Sequence, residues 1–304
     1  MNQRQSASIT WLSVAGLCLT HMLGATALAE PETNPAREAL LWRVSDGEHH
    51  LLLLGSIHVL REKDMPLPPP VLDAYANSDT LVMEMDVASA PAGALERKLQ
   101  EFGAAAPLRT LDVVFADGYP QLREQLLEAG IDPQAVNGFD PWFLATVLIN
   151  INLTQLGFRG NLGVEAQLSA RATKDGRETA GLETISEQLS IFEGLATPTQ
   201  RAMLSEALEE LGQLRDITER TISAWRRADT QVLREELLDS LGDQPDLYRS
   251  LVADRNARWI PSLMAMLESP EVELVVVGSL HLLGEDSVVQ LLRRKGGLTL
   301  EPLW

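Results

Sequence analysis

The sequence of 304 residues contains a single cysteine, Cys18, which lies in an apolar segment near the N-terminus. A chain with one cysteine forms no internal disulfide. If that segment is removed, the remaining protein has no thiolate metal ligand and no cysteine nucleophile. A chain of this length buries enough apolar surface to fold without covalent cross-links. The scarcity of cysteine therefore excludes disulfide and thiol chemistry and does not restrict the fold class.

Positive charge is also scarce. The chain has 25 Lys and Arg residues against 43 Asp and Glu residues, for a formal net charge of −18. No basic stripe is present to neutralise phosphates, so we expect no nucleic-acid partner. The same excess of negative charge disfavours docking on an anionic membrane surface.

The N-terminus has the features of a secretory signal peptide. Arg4 provides a short basic region, residues 11–20 are apolar, and Ala-Leu-Ala at 27–29 precedes Glu30. The apolar run is short for a membrane span, and the large Leu17 before Cys18 disfavours lipidation. We therefore predict a signal peptide at 1–29 and a periplasmic or secreted protein, with no stable membrane insertion after cleavage. The oligomeric state is not predicted.

Two short motifs are repeated near the ends of the chain. Residues 55–58 read Gly-Ser-Ile-His, and residues 278–281 read Gly-Ser-Leu-His. Each follows an apolar run typical of a buried strand, so His58 and His281 are expected at the carboxyl ends of strands. Open α/β sheets bind their ligands at that edge. We infer that both histidines belong to one site.

The remaining pattern predicts an α/β fold: a mixed sheet flanked by helices, in a single domain over 30–304 with a helical insertion at about 90–260. Ser45-Asp46-Gly47 between apolar runs indicates an opening hairpin. Glu84 ends a strand predicted at 80–85, and we expect it beside His58, since strands joined through a helix are usually neighbours. Further strands are predicted at 179–182, 272–277 and 298–300, and a long helix at 246–267.

Two further charged residues are candidates for the site. Glu183 follows the short strand at 179–182 and has no evident structural role. Thr184 and Glu187, in contrast, form a capping-box pattern that gives Glu187 a local role. Arg255 lies within the predicted long helix.

Taken together, these residues resemble the TraB/GumN family, which includes the Tiki proteases. The matching residues are the two Gly-x-x-His motifs, Glu84, the stretches 181–184 and 187–188, Arg255-Asn256 and Gly284. The resemblance implies a fold shared with erythromycin-esterase-like and haem-binding ChaN-like proteins. It also implies divalent-metal-dependent proteolysis of the Tiki type, with His58, Glu84 and His281 as the core of the site and Glu183 and Arg255 as further members.

The implied residues suit metal-assisted hydrolysis. Two histidines and a carboxylate bind Mn²⁺, Co²⁺ or Zn²⁺ and leave a position open for water. Such a metal lowers the pKa of its bound water to about 7. Glu183 would then act as a general base or a further ligand, and Arg255 would orient the substrate or stabilise negative charge. The expected substrate is a peptide or a small ester or amide.

Three alternatives remain open at this stage. A metal-independent esterase would use His58 as a general base, with Glu84 fixing its tautomer. Ser56 or Ser279 would be the nucleophile of a serine enzyme, although the chain has no Gly-x-Ser-x-Gly elbow. A non-catalytic protein of ChaN-like type would bind haem or a metal, although the aromatic content of 5% weighs slightly against a haem pocket.

Overall fold

A computed structural model describes residues 39–87, 90–91, 93–104, 109–241 and 244–304. The predicted signal peptide at 1–29 lies outside these residues. The described chain forms a six-stranded mixed sheet in the order β4-β3-β5-β2-β1-β6. Its strands are β1 (Leu41–Ser45), β2 (His50–Ser56), β3 (Thr80–Met83), β4 (Thr179–Gly181), β5 (Glu273–Gly278) and β6 (Thr299–Pro302).

The predicted N-terminal hairpin is confirmed. Strands β1 and β2 are antiparallel, with Leu41 opposite Leu54 and Ser45 opposite His50. The Asp46 carboxylate accepts hydrogen bonds from the backbone N–H groups of Glu48 and His49, which closes the turn. Strand β6 pairs with the outer edge of β1.

The other four strands, β4, β3, β5 and β2, are mutually parallel. All their carboxyl ends therefore meet at one edge of the sheet. The position of β5 between β2 and β3 contradicts one prediction, because β2 and β3 are not neighbours. Glu84 consequently emerges next to the strand that leads to His281, and the strand that leads to His58 lies on the other side of β5. The pairing of β5, far away in the sequence, overrides the usual preference for sequential neighbours.

Helices flank the sheet, and the predicted helical stretch lies between β3 and β4 and between β4 and β5. The helix after β2 is α1 (Pro69–Ala76). The helices between β3 and β4 are α2 (Ala94–Gly103), α3 (Leu111–Phe115), α4 (Tyr119–Glu128), α5 (Pro133–Val136), α6 (Pro141–Gln155) and α7 (Val164–Asp175). Those between β4 and β5 are α8 (Ile185–Glu193), α9 (Thr197–Glu210), α10 (Leu214–Arg226), α11 (Thr230–Leu237), α12 (Pro245–Tyr248) and α13 (Asp254–Met266), and α14 (Val288–Lys295) follows β5.

The long helix predicted at 246–267 has an irregular start. The backbone widens into a π-helical turn over Arg249–Ala253, between α12 and α13. Such turns are frequent at functional sites. Arg255 is the second residue of α13, so the irregular turn immediately precedes it.

The core lies on both sides of the sheet. Every residue of β5 is buried, as are all residues of β2 except the first. Helix α6, which is apolar on nearly all sides, has Trp142, Leu144 and Ile149 in the core, whereas Ile151 is exposed. Among the described residues, no helix combines the length and apolar character needed to cross a membrane.

Candidate active site at the carboxyl edge of the sheet

Parallel strands bring the predicted site residues to the same edge of the sheet. Glu84 directly follows β3, and His58 and Glu183 each come two residues after β2 and β4. His281 lies in a short 3₁₀ turn, Ser279–Leu282, that follows β5. Arg255 reaches this edge from α13. The structure brings Glu84, Glu183, Arg255 and His281 into direct contact and holds His58 in a second, adjacent pair.

The Arg255 guanidinium is the centre of the first group. Its side chain is only 2% exposed. Nη2 donates to Glu84 Oε2 at 2.5 Å and also to Glu183 Oε1, to which Nε donates at 2.9 Å. Nη1 lies 3.0 Å from Nε2 of His281. One buried cation therefore contacts two carboxylates and an imidazole.

The two carboxylates have opposite pKa shifts. Burial raises the pKa of Glu84, but Arg255, the two histidines and the backbone N–H of Gly278 outweigh burial and lower it to about 2. Burial raises the pKa of Glu183, and the attraction to Arg255 does not fully offset that rise. Burial likewise disfavours the Arg255 cation, but the two carboxylates raise its pKa on balance. Glu84 is therefore the ionised partner of Arg255, and Glu183 is the acid that holds a proton more readily.

His281 is held neutral by its two ring contacts. Asn256, the residue after Arg255, places its Oδ1 2.7 Å from Nδ1 of His281. An amide oxygen only accepts, and a guanidinium only donates, so Nδ1 carries the proton and Nε2 accepts from Arg255. Burial and the nearby Arg255 lower the pKa of His281 to about 3, against an opposing attraction from Glu84. The Asn256 amide also donates to the backbone carbonyl of Asp286 at 2.8 Å, which fixes its orientation.

Gln188 contacts both carboxylates. Its Nε2 donates to Glu84 Oε2 at 3.1 Å and lies 3.4 Å from Glu183 Oε1. Two buried oxygens of this group, Oε2 of Glu183 and Oε1 of Gln188, have no hydrogen-bond partner within the described part of the chain. Buried acceptors are normally satisfied. These two oxygens therefore indicate a place where a proton, a ligand or a metal would be accommodated.

His58 forms the second pair with a residue that the sequence did not identify. Its Nδ1 lies 2.7 Å from Oε1 of Glu165, and both side chains are partly accessible, at 13% and 16%. Ser56 Oγ donates to the same carboxylate oxygen. A histidine paired with a carboxylate through Nδ1 keeps its proton there and uses Nε2 as the basic nitrogen. The tautomer-fixing role assigned to Glu84 in the metal-independent alternative thus belongs to Glu165.

Local backbone contacts place Glu165 next to His58. Gly163 precedes α7, and a Cβ atom there would lie 2.1 Å from the backbone oxygen of His58. Only glycine allows this approach, which lets Val164 donate its backbone N–H to the Ile57 carbonyl at 3.1 Å. An acidic residue in the first turn of a helix usually indicates a favourable charge near the helix N-terminus. Because this explanation is sufficient at the level of the sequence, the contact of Glu165 with His58 could not be predicted.

The two serines of the motifs have structural roles. Ser56 and Ser279 are completely buried. Ser279 Oγ donates to the Ser56 backbone carbonyl at 2.9 Å, which ties the two motifs together. Ser56 Oγ donates to Glu165 and to the Val277 carbonyl, so both hydroxyls point to oxygen acceptors, which does not support a serine nucleophile.

Two of the predicted metal ligands are neighbours, since Nε2 of His281 lies 3.6 Å from Oε1 of Glu84, but other groups already contact them. His281 Nε2 and Glu84 Oε2 are both occupied by Arg255, and Glu84 Oε1 accepts from the Gly278 N–H at 2.7 Å. His58 is engaged through Nδ1 with Glu165. Over the described ranges, no group of three or more His, Cys, Asp or Glu residues is arranged to hold a metal ion. A cation at Glu84 and His281 would require the Arg255 guanidinium to move.

Comparison with known proteins places the chain in a family. The chain is 29% identical over 256 residues to the uncharacterized protein YbaP of Escherichia coli (strain K12), covering 81% of this chain and 89% of that protein. The YbaP protein of Shigella flexneri gives the same figures. An uncharacterized protein of Treponema pallidum (strain Nichols) is 23% identical over 287 residues, covering 88% of this chain and 84% of that protein.

No solved structure matches the chain. The sequence profile of the TraB/PrgY/gumN family matches residues 40–301. That range includes both Gly-x-x-His motifs and every residue of the Arg255 and His58 groups. The chain therefore belongs to the TraB/PrgY/gumN family.

Proposed function

We propose that the protein is a hydrolase of ester or amide bonds in which His58, oriented by Glu165, activates water. The observation that carries this proposal is the 2.7 Å contact between His58 Nδ1 and Glu165, in a partly accessible position beside a buried charged group. An imidazole whose Nδ1 proton is held by a carboxylate is the common arrangement of a general base. The substrate we propose is a peptide or a small-molecule ester or amide.

In the proposed reaction, one residue acts as the general base and another as the general acid. His58 Nε2 takes a proton from water as the water oxygen attacks the carbonyl carbon, and Glu165 stabilises the resulting imidazolium. Glu183, whose pKa is raised by burial, supplies a proton to the departing alcohol or amine. Glu84 stays ionised and keeps Arg255 in position. A carboxyl group whose pKa is raised by burial is typical of a general acid.

The proposal is tested with His58→Ala and Glu165→Gln variants in a screen of peptides and p-nitrophenyl esters. We expect kcat/KM to fall roughly 10²- to 10⁴-fold for His58→Ala, the usual contribution of a general base. Glu165→Gln should cost roughly 10- to 100-fold, as loss of an orienting partner does. The matched control is His50→Ala, at the start of β2 and away from the site. Full activity in His58→Ala would overturn the proposal.

A metal-dependent hydrolase is the second candidate. It is favoured by the two oxygens of Glu183 and Gln188 that have no hydrogen-bond partner among the described residues, because such oxygens are ligands of hard divalent ions. Elemental mass spectrometry after loading with Zn²⁺, Mn²⁺ or Co²⁺ tests it, in the wild type and in Glu183→Ala. Near-stoichiometric metal that disappears in the variant, together with activity abolished by a chelator, would favour this candidate. Activity that survives chelation favours the metal-independent reaction.

We further propose that the reaction takes place in the periplasm or outside the cell. The support is the sequence pattern of residues 1–29. Expression of the full chain in a Gram-negative host, followed by fractionation and N-terminal sequencing, should give a periplasmic protein that begins at Glu30. An uncleaved chain in the membrane fraction would contradict this proposal and leave the hydrolase proposal intact.

A further inference from the structure

A cleft separate from the sheet-edge site opens in the helical insertion, between α4 and α9. Its volume is about 350 Å³, and none of the residues of the Arg255 or His58 groups lines it. Pockets for small ligands typically measure about 300 to 1,000 Å³. The cleft is therefore large enough for a compact organic molecule.

Arg201 gives this cleft a positive charge. Its guanidinium lies 5.1 Å from the centre of the Phe115 ring, so a cation–π contact holds it in place. Gly118 allows the guanidinium to lie close to the backbone, since a Cβ atom there would lie 3.3 Å from Nη2 of Arg201. Among the residues that the structure describes, no Asp or Glu lines the cleft, in a chain with 43 of them. Within the described part of the chain, Arg201 forms no salt bridge.

The walls of the cleft also carry neutral polar groups near Arg201. Gln121 and Gln125 are one helical turn apart and lie on the same face of α4. Ser205 lies one turn after Arg201 on α9, and Leu122 contributes apolar surface. Amide and hydroxyl groups donate hydrogen bonds to an anion without competing for the cation as a carboxylate would.

We propose that this cleft binds a small organic carboxylate, with Arg201 as its ion-pair partner and the two glutamines as hydrogen-bond donors. The planar guanidinium matches a carboxylate in a paired, two-bond geometry. Phe115, Leu122 and Pro198 offer apolar surface to a short hydrocarbon body. This site is independent of the proposed hydrolase reaction.

Benzoate is a suitable probe, with benzamide as its uncharged counterpart, measured by calorimetric titration of the full chain. We expect saturable benzoate binding, at least 10-fold weaker in Arg201→Gln, and no detectable benzamide binding. Arg201→Lys should bind several-fold more weakly, because it keeps the charge and loses the paired geometry. The matched control is Arg123→Gln, on the exposed face of α4, which should bind as the wild type does.

Equal affinity in Arg201→Gln and wild type, or no saturable binding of benzoate, would overturn the proposal. Equal affinity for inorganic phosphate and benzoate would also overturn it, as the site would then be a general anion site. If Arg201→Gln does not fold, Gln125→Ala and Ser205→Ala provide the test. Unchanged benzoate affinity in both of these would then count against the site.

Discussion

At the scale of single residues, the stability of the site depends on which carboxylate is ionised beside Arg255. Glu84, with its pKa lowered from 4.5 to about 2, is bound more favourably as an anion in the folded state than in the unfolded state. Its contribution to stability is present above pH 4.5 and is lost as the pH falls towards 2. Glu183 has a raised pKa, so folding favours its protonated form and loses stability when it ionises.

We therefore predict that Glu84→Gln destabilises the protein more than Glu183→Gln at pH 7. Removing the ionised partner of a buried arginine costs ~3 kcal/mol. Glu183 is favoured in its neutral form by folding, so replacing it with the neutral glutamine should lower the free energy of unfolding by about 1 kcal/mol or less. Urea unfolding at pH 7 measures both values, and at pH 3 the difference should shrink. A larger loss in Glu183→Gln at pH 7 would show that the two roles are reversed.

A second residue-scale prediction concerns the tautomer of His281. Because Asn256 accepts from Nδ1 and Arg255 donates to Nε2, the ring should be neutral with its proton on Nδ1. Since burial lowers its pKa to about 3, the ring should stay neutral down to about pH 4. The ¹⁵N chemical shifts of the two ring nitrogens report this directly in histidine-labelled protein.

The Asn256→Asp variant gives a matched perturbation of the same ring. A carboxylate at this position would favour the imidazolium and raise the pKa of His281. The Asn256→Ala variant removes the acceptor and should allow both tautomers. A wild-type spectrum with the proton on Nε2, or with a protonated ring at pH 6, would contradict the hydrogen-bond assignment.

At the scale of elements, the start of α7 depends on close backbone contact with the loop after β2. We predict that Gly163→Ala destabilises the protein by ~3 kcal/mol or more, because the added Cβ would meet the His58 backbone oxygen at 2.1 Å. The backbone would have to separate, and the Glu165 contact with His58 would weaken. Denaturant unfolding measures the stability, and the ring shifts of His58 report the loss of the pair.

The control for this prediction is Gly212→Ala. Gly212 also lacks a positive φ angle, and a Cβ atom there would meet nothing within 4 Å. Alanine at such a position changes stability by less than about 1 kcal/mol, because it restricts the unfolded chain without a clash. Equal losses in the two variants would show that the loop after β2 tolerates the displacement.

Secondary-structure elements that depend on residues close in the chain could be predicted from the sequence. Contacts between residues far apart in the chain could not. The hairpin around Asp46-Gly47 and the capping box of Thr184 and Glu187 both form as expected, since each depends on residues close in the chain. The insertion of β5 between β2 and β3 depends on a pairing of residues more than 190 positions apart. No local pattern records such a pairing.

The residues of the candidate site could likewise be predicted, but not all of their contacts. Glu84, Glu183, Arg255 and His281 were identified individually, and the structure places them in one buried group. The pairing of His58 with Glu165 was not foreseen, because the two lie 107 positions apart (165 minus 58) and Glu165 looks like an ordinary acid in a helix's first turn. Arg255 was predicted to orient the substrate or stabilise negative charge, and that role stays a prediction. Its burial between two carboxylates is shown only by the three-dimensional packing.

At the scale of the whole molecule, the dominant feature is an excess of negative charge. The formal net charge is −18, and the sequence pI is about 4.7. Several surface arginines already form ion pairs, such as Arg220 with Glu236 and Arg294 with Glu285. The remaining acidic groups repel one another in the compact state, and this repulsion is reduced by salt. The buried Arg255 pairs are shielded from salt ions and should not respond.

We therefore predict that raising NaCl from about 0.02 M to about 0.2 M at pH 7.5 increases the melting temperature, because the Debye length shortens from tens of ångströms to under 10 Å. A gain of ~1 kcal/mol corresponds to roughly 2 to 4 °C for a chain of this size class. Calorimetry at pH 5, close to the pI, provides the internal control, since the net repulsion there is small. An equal increase at both pH values would assign the effect to general salting-out of apolar surface and not to repulsion between acidic groups.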